Sequence, residues 1–142
     1  MRLLSNIKLP AKLEYLRELV SSISHCAREQ GFSPKRISEI ELATEEALVN
    51  IFNYAYQDKI GEVEVTCKLD QEGRLIIEIV DSGVPFDMLP LGEPDTTADI
   101  SERKVGGLGI FFIRKLMDDV QYQHEGAKNV LSLIVNKDKG KE

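Results

Sequence analysis

The 142-residue sequence contains no tryptophan, only two cysteines and only two histidines. So few thiols and imidazoles exclude a disulfide framework and make a His/Cys zinc cluster a poor interpretation. Cys26 and Cys67 are therefore predicted to be small apolar residues in a reducing cytoplasm. His25 is next to Cys26, but adjacent residues on a helix diverge by about 100°, so this pair is a poor nucleophile and base.

Long apolar runs are also missing. No stretch approaches the roughly 20 apolar residues that span a bilayer, and residues 1–10 lack the apolar core and cleavage site of a secretory signal. The 18 basic and 24 acidic residues give a net charge of −6, which argues against binding to nucleic acid or to an anionic membrane. We expect a single cytoplasmic domain over residues 1–142.

The periodicity of apolar residues predicts helices followed by paired strands. The predicted helices cover residues 11–30, 34–56 and 107–117, and the predicted strands cover residues 3–9, 63–69, 74–80, 120–124 and 129–136. Gly31 is placed to cap the first helix, and Ser33 is placed to begin the second. This order indicates an α+β fold, a two-layer sandwich with helices on one face of a mostly antiparallel sheet. The polar tail at residues 138–142 is expected to fray.

The second predicted helix carries polar residues that core packing does not explain. Its apolar arc comprises Ile37, Ile40, Thr44, Ala47, Leu48, Ile51 and Ala55. Glu46, Asn50 and Asn53 fall together on the opposite side, within about 60° of one another. Amides and a carboxylate interleaved with apolar residues indicate the wall of a site, and a solvated helix face is the alternative.

Asp81 follows an apolar strand in the register of its buried row. A carboxylate there needs hydrogen-bond donors, since leaving it unpaired would cost several kcal/mol, and the amino group of a bound base could supply one. Gly83 allows the chain to turn with positive φ or to approach a ligand closely. An ordinary turn that closes the strand is the alternative.

Glycines open the third predicted helix, in the run Gly106, Gly107, Leu108 and Gly109. The exposed N–H groups and the positive end of a helix dipole suit a phosphate, and Arg103 and Lys104 could meet the terminal phosphates. The 18-residue connection over residues 88–105 is long for a plain loop and is predicted to be a lid over a ligand. The sequence contains neither a P-loop nor the dinucleotide fingerprint.

Taken in order, these motifs resemble the Bergerat-type (GHKL) ATP-binding fold of gyrase, Hsp90, histidine kinases and MutL. Within that superfamily the chain is similar to the bacterial anti-sigma-factor serine/threonine kinases of the partner-switching type. Their N box and two glycine boxes resemble residues 45–50, 81–87 and 106–110. The length leaves no room for the extra domains of histidine kinases or gyrase. Tyr54 stands where many members have histidine, and Arg103 lies two residues further from the second glycine box than their arginine.

The resemblance implies transfer of the γ-phosphoryl group of Mg-ATP to a Ser or Thr of a STAS-domain anti-anti-sigma factor. It also implies binding of a sigma factor or equivalent regulator, and a homodimer. Glu46 would be the general base, Asn50 would hold Mg²⁺, and Asp81 would accept from the adenine amino group beside Gly83. The remaining expected nucleotide contacts are Asn53, Arg103, Lys104, Gly106, Gly107, Leu108 and Gly109.

Glu45 is the rival base, but it lies about 100° from Glu46 around the helix, whereas Glu46 shares a face with Asn50. Two other functions remain open. One is an ATP-sensing module that sequesters a partner without phosphoryl transfer, and the other is a domain that keeps the fold but has lost the nucleotide.

Overall fold

The computed structural model describes residues 1–56, 60–85 and 113–137. These ranges contain two long α-helices and five strands, in the order β1 (Arg2–Pro10), α1 (Leu16–Glu29), α2 (Pro34–Tyr54), β2 (Glu62–Leu69), β3 (Leu75–Asp81), β4 (Asp119–Glu125) and β5 (Lys128–Val135). The sheet order is β1-β2-β3-β5-β4, and each neighbouring pair is antiparallel. The predicted α+β class is confirmed.

One face of the sheet forms the core with the two helices. Residues of β2, β3 and β5 alternate between buried and half-buried positions, as expected for strands with one covered face. The largest fully buried side chains come from both helices, from this face and from the helical residues 113–116: Leu19, Ile23, Ile40, Leu48, Val63, Val65, Leu75, Ile77, Ile79, Ile113 and Leu133. The two layers therefore share a single hydrophobic core.

The two cysteines belong to this core, as predicted. Cys26 on α1 and Cys67 on β2 are buried free thiols, and the Cys26 Sγ lies 3.2 Å from the Oγ of Ser5. Burial, with a smaller contribution from the neighbouring Cys26, raises the pKa of Cys67 to about 12. A thiol with that pKa stays protonated at neutral pH, which suits an inert packing residue.

The first helix begins later than predicted. Strand β1 runs through Pro10, and the N–H of Ala11 continues the pairing by donating to the carbonyl of Gly61 at 2.8 Å. A short 3₁₀ turn, Leu13–Tyr15, then leads into α1. Gly31, with a φ of 84°, ends the helix as expected, and the side chain of Ser33 caps α2 by accepting from the N–H of Arg36.

A buried arginine connects the first turn of α2 to the other end of the chain. The guanidinium of Arg36 donates to the carbonyls of Leu116 and Asn136 at 2.7 and 2.8 Å, and it also contacts the carboxylates of Glu39 and Asp118. Asp118 in turn accepts from the backbone N–H of Asn136. This cluster holds the helical turn at residues 113–116 against α2 and the end of β5.

Several predicted segments lie outside the described residues. They are the lid at 88–105, the first part of the third predicted helix and the tail at 138–142, while residues 113–116 of that helix are helical as predicted. Neither helix of the described ranges is long and apolar enough to cross a membrane.

Candidate functional site

Asn50 is buried in the second half of α2, and only one of its two polar side-chain atoms is hydrogen-bonded to a described residue. Its side chain is 1% exposed, and its Nδ2 donates to the carbonyl of Glu46 at 2.8 Å, one turn earlier. The Oδ1 is buried and has no hydrogen-bond partner among the residues that the structure describes. Buried polar atoms are nearly always paired, so an orphan oxygen needs an explanation.

The polar residues of α2 are not all on the side opposite the core. Asn50 is buried, Glu46 is half-buried and Asn53 is exposed. The role of these residues as the wall of a site stays a prediction, but the expectation that all three lie opposite the core is wrong for Asn50. The reason is that α2 is buried over a wider arc than its apolar pattern indicates, since Ala43 and Arg36 are buried as well.

Glu46 and Glu45 lie in different surroundings. Within the described residues, the carboxylate of Glu46 makes no hydrogen bond or ion pair, and it is half-buried one turn before Asn50. Glu45 is exposed and lines a cleft of about 470 Å³ between α1 and α2. Of these two glutamates, only Glu46 is partly buried and lies one helical turn from the unpartnered Oδ1 of Asn50.

Asp81 ends β3 and is 6% exposed, as its register predicted. Its Oδ1 accepts from the N–H of Gly83 at 2.9 Å and from the Nδ2 of Asn129 at 2.8 Å. The protein therefore supplies the donors for Oδ1 itself, and donation from the amino group of a bound base stays a prediction. The Oδ2 accepts no hydrogen bond from any residue that the structure describes.

Gly83 allows a close approach, but to the protein's own helix. A Cβ on Gly83 would lie 2.1 Å from the carbonyl oxygen of Ala55, and the N–H of Val84 donates to the same oxygen at 2.8 Å. Its φ is not in the left-handed region, so that part of the expectation is wrong. The contact holds the end of β3 against the end of α2. Ala55 lies about 7 Å along the helix axis from Asn50.

Tyr56 also connects the two elements, and sequence reasoning did not identify it. Its hydroxyl accepts from the N–H of Ser82 and donates to the carbonyl of Glu62, both at 2.7 Å. Burial, followed by the nearby Asp81 carboxylate, raises the pKa of Tyr56, although the N–H of Ser82 acts in the opposite direction. The hydroxyl stays protonated and can donate. A cleft of about 480 Å³ opens beside Tyr56 and Asp81.

The site residues predicted around the phosphates lie outside the described residues. They are Arg103, Lys104, Gly106, Gly107, Leu108 and Gly109. No group of three or more His, Cys, Asp or Glu side chains within the described ranges could hold a metal ion. A metal site here would instead be built from a neutral oxygen and from the ligand. The unpartnered Oδ1 of Asn50 fits that role, because Mg²⁺ prefers oxygen ligands.

Comparison with known proteins shows which family this domain belongs to. Residues 9–135 match the histidine kinase-like ATPase domain. The serine-protein kinase RsbW of Bacillus thuringiensis is 34% identical over 129 residues, which cover 88% of this chain and 80% of that protein. The RsbW of Bacillus anthracis matches to the same extent.

Solved structures share the fold at low sequence identity. The SiaB–SiaC complex from Pseudomonas aeruginosa superimposes with a TM-score of 0.64 at 14% identity, covering 94% of this chain and 90% of that one. The RsbU and RsbW domains of Rv1364c from Mycobacterium tuberculosis give a TM-score of 0.63 at 15% identity. Here 93% of this chain is covered, but it spans only 32% of the mycobacterial chain.

The match over most of the chain, together with the two-layer fold, shows that the chain belongs to the histidine kinase-like ATPase family. Within that family it is an RsbW-like serine/threonine protein kinase of the anti-sigma class.

Proposed function

We propose that this protein transfers the γ-phosphoryl group of Mg-ATP to a serine or threonine on a STAS-domain anti-anti-sigma factor. The observation that supports this proposal most is the buried, unpartnered Oδ1 of Asn50, one helical turn from the half-buried Glu46. A domain that only retained the fold would have no reason to keep an unpaired oxygen in its interior, where it costs about 1–3 kcal/mol.

Asn50 would hold Mg²⁺ through this oxygen. A bound Mg²⁺ neutralises negative charge on the phosphates. Because an amide ligand is neutral, it does not reduce the positive charge that the ion offers to the phosphates. The Nδ2 of Asn50 is anchored on the carbonyl of Glu46, so the oxygen is fixed in direction before any ion binds. This preorganisation lowers the conformational cost of binding.

Glu46 would act on the substrate hydroxyl. The hydroxyl oxygen forms the new bond to the γ-phosphorus while the bond to the bridging oxygen of ADP breaks, and the hydroxyl proton passes to the Glu46 carboxylate. Glu46 suits this task because no described residue occupies its carboxylate. Phosphoryl transfer depends mostly on positioning, and α2 carries both Glu46 and Asn50 on a rigid element.

Asp81 would bind the adenine amino group through its Oδ2. The Oδ1 is already satisfied by Gly83 and Asn129, so the carboxylate is held in one orientation. Gly106 to Gly109 would present N–H groups to the phosphates, Arg103 and Lys104 would make lid contacts, and Asn53 would lie at the rim of the nucleotide site.

The relatives support the proposed partners. The chain resembles serine-protein kinases named RsbW and the fold of SiaB, which was solved in complex with SiaC. We therefore propose a homodimer in the cytoplasm that binds a sigma factor or an equivalent regulator in one state and phosphorylates its STAS-domain partner in another.

The test is incubation of the purified protein with γ-labelled Mg-ATP and a STAS-domain protein encoded near it. The proposed kinase transfers label to the STAS protein, and the transfer requires Mg²⁺. An ATP-sensing module binds ATP without transferring label, and a domain that has lost the nucleotide does neither. Either of the last two results would overturn the proposal.

A further inference from the structure

Asn129 lies directly opposite Asp81 in the sheet. It is the second residue of β5, it pairs with Asp81 in the register of β3 and β5, and it is 2% exposed. Its Nδ2 donates to the Oδ1 of Asp81 at 2.8 Å and to the carbonyl of Gly83 at 3.1 Å. Both N–H groups of this amide are therefore directed at the segment that would bind the base.

Two residues of β4 fix the orientation of the Asn129 amide. The Oδ1 of Asn129 accepts from the hydroxyl of Tyr122 at 3.0 Å and lies 2.7 Å from the Nδ1 of His124, which must carry a proton to donate here. With two donated and two accepted hydrogen bonds, the amide is fully satisfied. Rotation of the amide by 180° would place its oxygen against the Asp81 carboxylate and the Gly83 carbonyl, which only accept, and is therefore disfavoured.

As a result, the two oxygens of the Asp81 carboxylate differ: Oδ1 accepts hydrogen bonds from the protein, and Oδ2 remains available to accept one from a ligand. An ionised carboxylate has about four acceptor positions, two on each oxygen. The N–H of Gly83 and the Nδ2 of Asn129 occupy both positions on Oδ1, while no described residue donates to Oδ2. A ligand can therefore use only one of the two oxygens.

The number of Asp81 oxygens that can still accept a hydrogen bond determines which purine base the site binds more tightly. The pairing edge of adenine offers one donor group, its amino group, beside an acceptor nitrogen. The pairing edge of guanine offers two adjacent donors, N1–H and the amino group, which match the two oxygens of a free carboxylate. Because Oδ1 already accepts two hydrogen bonds, one of the two guanine donors would be left without an acceptor in a buried site. The single amino group of adenine would still have Oδ2 as its acceptor.

We propose that Asn129 makes this nucleotide site selective for adenine over guanine by occupying the Oδ1 of Asp81. The inference rests on the proposed function, since it takes Asp81 as the residue that binds the base. Asn129 acts through Asp81 and does not itself contact the nucleotide, so it is a specificity-determining residue held in place by Tyr122 and His124.

The test compares Asn129→Val with Asn129→Thr in the full chain. These two side chains have nearly the same shape, but only threonine has a hydroxyl that can donate to Asp81. Dissociation constants for ATP and GTP are measured by calorimetry, and thermal unfolding without nucleotide reports any loss of stability. We expect Asn129→Val to lower the preference for ATP over GTP about tenfold, the value of one hydrogen bond, and Asn129→Thr to retain most of it.

A ratio of ATP to GTP affinity that is the same in the wild-type protein and in Asn129→Val would overturn the inference, even if both affinities fall. A wild-type protein that binds GTP as tightly as ATP would overturn it too. If the valine variant does not fold, Tyr122→Phe provides the second measurement: it removes one donor that orients the amide and should lower the same ratio by a smaller factor. An unchanged ratio in that variant would count against the inference.

Failure of the underlying function gives a different result. If Asp81→Asn leaves the ATP affinity of a folded protein unchanged, then Asp81 does not bind the base, and the proposed site itself is wrong. If Asp81→Asn abolishes binding while the Asn129 variants leave the base preference intact, the site stands and only the role of Asn129 is wrong.

Discussion

The carboxylate of Asp81 accepts two hydrogen bonds on its Oδ1, and no described residue donates to its Oδ2. Asp81→Asn replaces one acceptor by a donor, so the side chain can no longer satisfy Gly83, Asn129 and the adenine amino group together. We expect ATP affinity to fall by about 1–3 kcal/mol, the cost of a mismatched buried polar group. Calorimetry measures this, with Asp119→Asn on the edge strand β4 as the charge-matched control. Equal affinities in the Asp81→Asn and wild-type proteins would remove Asp81 from the site.

Glu46 and Glu45 permit a matched comparison on a single helix. Glu46→Gln keeps the size of the side chain but cannot take a proton at neutral pH, so phosphoryl transfer should slow by roughly 10²–10⁴ while ATP affinity changes little. Glu45→Gln removes the same charge from an exposed position and should leave transfer nearly unchanged. Single-turnover transfer of labelled phosphate measures both rates. The assignment is wrong if the Glu45 variant is the inactive one.

At the scale of secondary-structure elements, Arg36 connects α2 to the chain that follows the third predicted helix. Arg36→Met should lower the free energy of unfolding by about 2–3 kcal/mol. That is below the roughly 3–5 kcal/mol of a fully buried ion pair, because Glu39 and Asp118 remain about a fifth exposed. Chemical denaturation checks this, with Lys35→Met as the exposed neighbour, expected to stay within about 0.5 kcal/mol. Equal losses in both variants would show that the cluster contributes no stability.

Most elements could be predicted from sequence because their signals are local. The alternation of apolar and polar residues predicted β2 and β3, and the capping residues Gly31 and Ser33 predicted the boundary between the two helices. The start of α1 could not be predicted, since pairing of β1 with β2 extends to Ala11 and overrides the helical pattern there. This contact joins segments about 50 residues apart in the sequence, which local periodicity does not report.

The difference between local signals and contacts between distant segments also decides which residues of the candidate site could be predicted. Asp81 and Asn50 could be selected as candidates because the register of a strand and the spacing along a helix are local properties, although the burial of Asn50 was not predicted. Asn129, Tyr122 and Tyr56 were not, because their roles depend on β5 lying beside β3 and on the end of α2 meeting the end of β3. A polar residue at the start of a strand is common, and only the strand order makes Asn129 a partner of Asp81.

At the scale of the whole molecule, the buried Oδ1 of Asn50 has no partner among the described residues, and its proposed role in holding Mg²⁺ can be measured directly. ATP is titrated by calorimetry into the wild-type protein and into Asn50→Ala, with Mg²⁺ and with a chelator, and ADP is titrated without metal. The variant lacks the orphan oxygen, so its stability without ligand should change little, which thermal unfolding checks.

We predict that wild-type protein binds ATP more tightly with Mg²⁺ than without it, that Asn50→Ala loses this difference, and that ADP binding without metal is nearly unchanged. The contradicting result is an Asn50→Ala protein that is destabilised without ligand and whose ATP affinity falls equally with and without Mg²⁺. Asn50 would then be a structural residue of α2 with no part in holding the metal.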